Sequence, residues 1–185
     1  MQLTHRRQSF LGSLPSGAAG TEETLRLMRD LANRYKSDTH VRGVALELVR
    51  GLAPRDWVGE VRRVFEYVRD NIRYVHDIAG VETLQTPPVT IDLEAGDCDD
   101  KSTLLAALLA SIGYPTRFVA VGYRQPGSYQ HVYVEALLNN RWIPLDSTVQ
   151  RPFGWSPRPP LARLEGGVPQ GKGGGCSDRT LLPLF

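Results

Sequence analysis

The stretch "EAGDCDDKSTLLAALLASIG", residues 94–113, decides the fold and raises the question of what its cysteine does. A structural cysteine is usually buried among apolar side chains, whereas Cys98 stands among three aspartates and directly before an apolar run. Glycine and aspartate are residues that begin helices, and Gly113 followed by Pro115 is a usual helix end. We therefore predict a helix from about Cys98 to Ile112, with the thiol in its first turn.

The charges around Cys98 act in opposite directions. The start of a helix favours an anion, because its N–H groups are unpaired and the helix dipole is positive there, so a thiolate is stabilised. The carboxylates of Asp97, Asp99 and Asp100 instead raise the pKa of a neighbouring thiol. If Cys98 is a nucleophile, a cationic neighbour must offset them. The alternative interpretation is a structural cysteine that merely begins a helix.

Apolar residues at helical spacing predict three further helices upstream, at 21–37, 38–52 and 56–72. Their apolar faces are typical of core packing rather than of a cofactor site. A threonine opens the first helix, and Asp56 is positioned to cap the third. The chain from 77 to 97 is expected to be a loop, because its "QTPP" segment favours an extended path.

Three segments rich in β-branched and aromatic residues follow the cysteine helix and predict strands. They are 116–123, 131–138 and 141–148. Helices followed by a run of strands predict an α+β fold, in which the cysteine helix packs on an antiparallel sheet. From Arg151 onward the chain is dense in proline and glycine, so we expect irregular or partly disordered structure there. The predicted organisation is a flexible arm at 1–20, a single domain at 21–150 and a tail at 151–185.

The last two strands form a predicted hairpin around the asparagines at 139–140. Asparagine tolerates positive φ, so a two-residue turn is expected and the residues that flank it pair with each other. In that register Asp146 lies opposite Tyr133, on the same face of the sheet as His131. A diagonal neighbour of this kind is roughly 7–8 Å away, within reach of a hydrogen bond from carboxylate to imidazole. A three-residue loop would place Asp146 on the other face.

The chain thus offers a thiol at a helix start and a histidine backed by a carboxylate. These are the parts of a Cys-His-Asp nucleophilic site, in which Cys98 attacks, His131 carries the proton and Asp146 fixes the imidazole. Taken singly, His131 is typical of a half-buried strand histidine and Asp146 of a turn residue. Their joint occurrence with matching parity is the evidence, and His76 with Asp77 is a weaker alternative pair.

The segments "GDCDDKSTLLAALLASIGYPTRFVAVGY" and "HVYVEALLNNRWIPLDST" resemble the core of the transglutaminase-like superfamily, the papain-like fold in its bacterial form. Three motifs occur in the family's order: G-x-C opening a helix, a strand that carries histidine, and a strand that ends in proline–leucine–aspartate. The resemblance covers about residues 60–150. It implies that Cys98, His131 and Asp146 are nucleophile, base and orienting acid.

The resemblance also implies an oxyanion hole. The backbone N–H of Cys98 is one donor because it opens a helix, and Gln85 in the preceding loop is the candidate for a side-chain donor. Tyr133 and Trp142 flank the site by register and are candidates for the substrate cleft, together with Asp97. Core packing is an equally good explanation for the two aromatic residues.

The function expected from these features is cysteine-dependent acyl transfer on a peptide or side-chain amide through a thioester. Hydrolysis is favoured over transfer to an amine, since a small single domain offers no obvious channel that excludes water. The alternative is an inactive or weakly active fold that serves binding or assembly through its tails, for instance as a phage or prophage structural component. The superfamily contains proteases, amidases, cross-linking enzymes and inactive scaffolds, so the resemblance does not choose among them.

Bulk properties limit the partners. The 185 residues carry a formal charge of +2 and 41% hydrophobic residues, which is typical of an ordinary globular protein and argues against nucleic-acid or membrane partners. The N-terminal apolar run is too short for a signal peptide, so we expect a cytoplasmic protein, or a virion-associated one if a phage encodes it. We expect no cofactor and no metal, because only four histidines accompany Cys98 and Cys176. The expected partners are a protein or peptide substrate and a protein that engages one of the tails.

Overall fold

The computed structural model describes residues 9–11, 17–76 and 83–167. Three helices come first, as the apolar spacing predicts: α1 (Ala18–Tyr35), α2 (Thr39–Leu48) and α3 (Trp57–Asn71). Asp56 caps α3 by accepting a hydrogen bond from the N–H of Gly59. Helix α1 begins before the threonine that was expected to open it.

The cysteine helix is central to the core. It spans Cys98–Ser111 and is named α5, because a short helix α4 (Pro87–Leu93) precedes it. Helix α4 corrects the prediction of a loop: the extended residue is Thr86, and the prolines occupy the first turn of the helix, where no backbone donor is needed. Helix α5 contacts all three upstream helices and the sheet. Its buried apolar residues are Leu104, Leu105, Ala106, Ala107, Leu108 and Leu109.

The main sheet has four antiparallel strands in the order β7-β6-β5-β8. They are β5 (Thr116–Gly122), β6 (His131–Leu138), β7 (Arg141–Leu145) and β8 (Ala162–Gly167). The predicted α+β fold, with the cysteine helix against an antiparallel sheet, is confirmed.

Strand β8 corrects the expectation that the chain is irregular from Arg151 onward. It alternates between the two faces of the sheet: Leu164 packs on the core, while Arg163 and Glu165 lie on the opposite face. A six-residue strand bounded by prolines and glycines carries too weak a pattern to predict from composition. Residues 168–185, which include Cys176, lie outside the described residues.

The predicted hairpin register is confirmed, with Leu138 opposite Arg141. Both turn residues have positive φ, 48° at Asn139 and 62° at Asn140. The period-2 argument for the face of each strand residue therefore holds along β6 and β7.

Two small sheets flank α5. Strand β1 (Ser9–Leu11) pairs antiparallel with β3 (Thr83–Gln85), and β2 (Arg73–Tyr74) pairs parallel with β4 (Ala95–Gly96). The division into arm, domain and tail stays a prediction, since most of both termini lies outside the described residues. Across the part of the chain that is described, no helix combines the length and apolarity needed to cross a membrane.

Candidate active site

Aspartates organise the start of α5. Asp97 is the N-cap, and its Oδ1 accepts the N–H groups of Asp99 at 2.9 Å and Asp100 at 3.0 Å. Asp100 reaches back to the N–H of Asp97 at 3.4 Å, which completes a capping box. A Cβ on Gly96 would lie 2.6 Å from the Cβ of Asp100, so this approach requires glycine. Asp97, a candidate for the cleft, thus has a structural role as cap.

Asp100 also ties a distant strand to the cysteine helix. Its side chain is buried, and Oδ1 accepts the backbone N–H of Gln85 at 2.7 Å. The Gln85 side chain accepts a long hydrogen bond of 3.5 Å from Thr90. The backbone of Gln85 is thus fixed to the first turn of α5, and its side-chain oxygen is bonded to Thr90. The oxyanion role suggested by the sequence for Gln85 stays a prediction.

The Cys98 thiol is partly buried and has polar neighbours. It donates a hydrogen bond of 3.4 Å to Oδ1 of Asp99. Burial raises the pKa of the thiol strongly, and the charges of Asp99 and Asp97 raise it further, while the backbone N–H of Val132 stabilises the thiolate. The resting sulfur is consequently a protonated thiol.

The thiol lies beside the part of β6 that extends past the end of β7. Strand β7 ends at Leu145, opposite Val134, so the peptide groups of Val132 face α5 instead of a neighbouring strand. Its N–H points to the sulfur of Cys98, and its carbonyl accepts the hydroxyl of Ser102 at 3.3 Å. Cys98 and Ser102, one turn apart on α5, thereby take the hydrogen bonds of Val132 that β7 would otherwise make. The thiol thus lies beside the residue that follows His131.

His131 and Asp146 form the contact that the hairpin register predicts. Nε2 of His131 lies 2.8 Å from Oδ2 of Asp146. The carboxylate is 4% exposed, and its Oδ1 accepts the hydroxyl of Thr148 at 2.6 Å and the N–H of Thr148 at 3.1 Å. Burial raises the pKa of Asp146, but the hydrogen bonds from His131 and Thr148 outweigh burial and hold that pKa below its ordinary value. Asp146 is therefore an ionised partner for the imidazole.

Tyr133 supports the imidazole rather than lining an open cleft. Its ring stacks on that of His131 with centroids 6.3 Å apart, and its side chain is buried. Its hydroxyl accepts a hydrogen bond of 2.9 Å from Arg163 of β8, which also bonds to Glu135. Sequence reasoning missed Arg163, because its strand was expected to be irregular.

Trp142 lies away from this group. It is opposite Leu137 near the hairpin turn, and the guanidinium of Arg117 lies 4.4 Å from the centre of its ring. Four residues of strand separate Trp142 from Asp146, which is about 13 Å. The structure therefore assigns Trp142 to the surface of the sheet and not to the cleft.

Two further residues near the thiol gave no signal in the sequence. Lys101 is buried, and its Nζ donates to the carbonyl of Ile72 and, at 3.5 Å, to that of Arg69, at the end of α3. Burial lowers the pKa of Lys101 to about 8, although Asp70 and Asp146 oppose the shift. Tyr74 pairs with Gly96, immediately before the cap of α5.

The described residues contain no cluster of three or more histidine, cysteine or acidic side chains that could hold a metal ion.

A sequence model of the transglutaminase-like superfamily matches residues 42–147, more than half of the chain. The chain belongs to the transglutaminase-like superfamily. In this superfamily member the match begins within α2, earlier than the motifs alone indicate.

A solved structure with a TM-score above 0.5 shares this fold. A "putative protease" from Parabacteroides distasonis has a TM-score of 0.54 and 15% identity, over 70% of this chain and 27% of that one. A "putative cysteine protease" from Cytophaga hutchinsonii has a TM-score of 0.49 and 20% identity, over 62% of this chain and 39% of that one. The superfamily member thus corresponds to less than half of either structure. No curated protein matches it.

Proposed function

We propose that this protein is a cysteine-dependent acyl-transfer enzyme that acts on peptide or side-chain amide bonds through a thioester. The observation that carries the proposal is the arrangement of three side chains near the end of β7. His131 and Asp146 are hydrogen-bonded to each other there, and the Cys98 sulfur is hydrogen-bonded to the backbone of Val132, the residue after His131. A thiol, a base and an orienting carboxylate in such an arrangement are the requirements of nucleophilic catalysis.

The hydrogen bond between His131 and Asp146 supports a specific proton path. Nε2 of His131 is occupied by Asp146, so Nδ1 is the ring nitrogen that takes the thiol proton. The Cys98 sulfur then attacks the carbonyl carbon, and a C–S bond forms as the carbonyl π pair moves to oxygen. When the intermediate collapses, the C–N bond breaks and the imidazolium gives its proton to the leaving amine. The ionised Asp146 stabilises the imidazolium between these steps.

The protonated resting thiol makes His131 a base that acts during the attack. Burial and the two neighbouring aspartates disfavour a thiolate before substrate binds. A substrate carbonyl near the sulfur gives the proton transfer its driving force, since the developing charge moves to oxygen. We therefore expect a modest nucleophile without substrate and a strong dependence of acylation on His131.

Water is the acceptor that the site favours. The side chain of His131 is 22% exposed, so solvent reaches the imidazole that would activate it. Hydrolysis of the thioester then makes the protein a protease or amidase, and an amine acceptor would make it a cross-linking enzyme.

The raised thiol pKa also supports a second candidate, a weakly active or inactive fold used for binding or assembly, for instance in a phage particle. In that case the aspartates retain their role in capping α5 while the thiol has no chemical role. The two candidates differ in whether Cys98 accepts an acyl group with help from His131.

The test is acylation by p-nitrophenyl acetate, followed by release of nitrophenolate and by mass spectrometry of the cysteine peptides. We expect an acetyl group on Cys98, slow turnover by water, and loss of at least 100-fold in rate for His131→Ala. Cys98→Ala should show no burst, and the second cysteine, Cys176, provides a reference thiol in the same chain. Equal acylation of Cys98 with and without His131 would refute the enzyme and favour the assembly protein.

A further inference from the structure

Tyr74 is held firmly beside the start of the cysteine helix. Its strand β2 lies parallel to β4, with Tyr74 paired to Gly96. The neighbours of Tyr74 are fixed on both sides: the N–H of Arg73 donates to the carbonyl of Glu94 at 2.8 Å, and that of Val75 donates to the carbonyl of Gly96 at 3.1 Å. The backbone of Tyr74 is therefore fixed relative to the residues that directly precede α5.

The phenol of Tyr74 interacts electrostatically with groups of the site. A thiolate at Cys98 and the carboxylates of Asp97, Asp99 and Asp146 all act on it, so the helix start and the end of β7 are both within electrostatic range of a residue whose backbone is paired beside Gly96. The residue is 37% exposed, unlike the buried carboxylate of Asp146. Tyr74 therefore combines a partly exposed side chain with an electrostatic interaction with the groups of the site.

We propose that the Tyr74 hydroxyl is the side-chain donor of the oxyanion hole, opposite the backbone N–H of Cys98. The inference rests on the proposed acyl transfer. As the sulfur–carbon bond forms, the carbonyl π pair moves to oxygen, and Tyr74 donates a hydrogen bond to that oxygen without losing its proton. The donor is released when the C=O bond is restored and the leaving group departs.

The surroundings suit a phenol in this position. Burial raises the pKa of Tyr74 to about 12, and a thiolate formed at Cys98 and the carboxylates of the aspartates add to the shift, so the O–H remains a donor at neutral pH. The same carboxylates repel the negative charge that develops on the carbonyl oxygen during attack. A hydrogen-bond donor to that oxygen is needed to offset this repulsion. The side chain of Gln85, suggested by the sequence for this role, accepts a hydrogen bond from Thr90.

The alternative for Tyr74 is a purely structural role through its contact with His76, and this role can be tested separately. Its ring meets the ring of His76 edge-on, with centroids 4.8 Å apart. The variant Tyr74→Phe retains this contact and removes only the hydroxyl, while His76→Ala removes the contact and retains the hydroxyl.

The experiment compares two reactions at Cys98 in the full chain. Acylation by p-nitrophenyl acetate passes through an oxyanion, whereas alkylation by iodoacetamide does not. We expect Tyr74→Phe to slow acylation roughly 100-fold and to leave alkylation within about twofold. His76→Ala should leave the ratio of the two rates unchanged. The matched control is Tyr67→Phe, which removes a half-buried phenolic hydroxyl from α3 that is influenced by Glu94.

Each outcome decides between the two proposals. If Tyr74→Phe leaves both rates unchanged, or lowers both equally, Tyr74 is not an oxyanion donor, although the acyl transfer stands. If the unmodified protein is alkylated but never acylated at Cys98, the proposed function itself fails. Thermal unfolding of each variant distinguishes a loss of fold from a loss of the hydroxyl, because a partly unfolded variant would alkylate faster.

Discussion

His131 and Asp146 are joined by a hydrogen bond of 2.8 Å between Nε2 and Oδ2, although fifteen residues separate them in the chain. The contact exists because β6 and β7 share a two-residue turn and because Asp146 is the first residue after β7. It occupies Nε2 and leaves Nδ1 as the ring nitrogen for the proposed proton transfer. Any change that weakens it alters both the orientation and the charge of the imidazole.

Replacing Asp146 by asparagine should lower acylation of Cys98 by roughly 100-fold or more, since an amide cannot stabilise the imidazolium and favours the wrong tautomer. The measurement is the nitrophenolate burst rate at several pH values. Asp92→Asn is the control, because this exposed carboxylate lies at the C-terminal end of α4, where its Oδ1 is 3.7 Å from Nε2 of the exposed His40. An Asp146→Asn variant that acylates at the original rate would remove Asp146 from the mechanism.

Ser102→Ala should destabilise the fold by about 1–3 kcal/mol, because the buried carbonyl of Val132 loses the hydroxyl that satisfies it. The burst rate should fall as well, since the same contact holds α5 against the edge of β6. Urea unfolding and the burst assay measure the two effects. Ser156→Ala is the control, as the exposed hydroxyl of Ser156 bonds only to the carbonyl of its neighbour Pro157. An unchanged free energy of unfolding for Ser102→Ala would contradict the role of Ser102.

Gly96→Ala should cost about 1–3 kcal/mol, because the added Cβ would lie 2.6 Å from the Cβ of Asp100 and displace the capping box. Gly43→Ala is the matched control: Gly43 lies within α2, and an added Cβ there meets nothing within 4 Å. That substitution should be neutral or stabilising by up to about 1 kcal/mol. The free energy of unfolding should therefore fall relative to the wild type for Gly96→Ala and not for Gly43→Ala. A neutral Gly96→Ala would show that the helix start tolerates a shift.

Lys101 should make stability depend on pH in the alkaline range. Its pKa is lowered to about 8 in the folded protein, below its ordinary value of 10.5, so the unfolded chain binds more protons between these values. Stability therefore rises with pH from about 8 to about 10.5 through this group. The measurement is the difference in unfolding free energy between the wild type and Lys101→Met across pH 7–11, which cancels other titrating groups. A difference that is flat or falls with pH would show that the lysine is not deprotonated in the fold.

The parts of the site that lie within one local pattern were predictable from the sequence. Asn139 and Asn140 fixed the turn, the period of two then fixed the faces, and His131 and Asp146 followed. The cysteine helix could be read from its cap and its glycine end. Local patterns of this kind are determined by neighbours in the chain, so a single sequence contains them.

The remaining contacts depend on segments that approach from far along the chain. Tyr74 reaches the site only because β2 pairs with β4, and Ser102 finds Val132 only because β7 stops early. Arg163 contributes through a strand whose proline- and glycine-rich surroundings hide its alternation. Periodicity and composition do not encode such approaches, so these residues could not be assigned before the fold was known.

Strand β8 has a consequence for how the chain avoids self-association. It covers the edge of β5, a strand whose residues are almost all apolar and buried. A chain shortened to residue 150 would expose that edge as a template for intermolecular β-pairing. The edge that β8 itself presents carries Arg163 and Glu165 and ends in two glycines, which discourages another strand from adding to it. We therefore expect the segment after Asp146 to protect the β5 edge of the sheet from pairing with other chains, and shortened forms that omit β8 should aggregate.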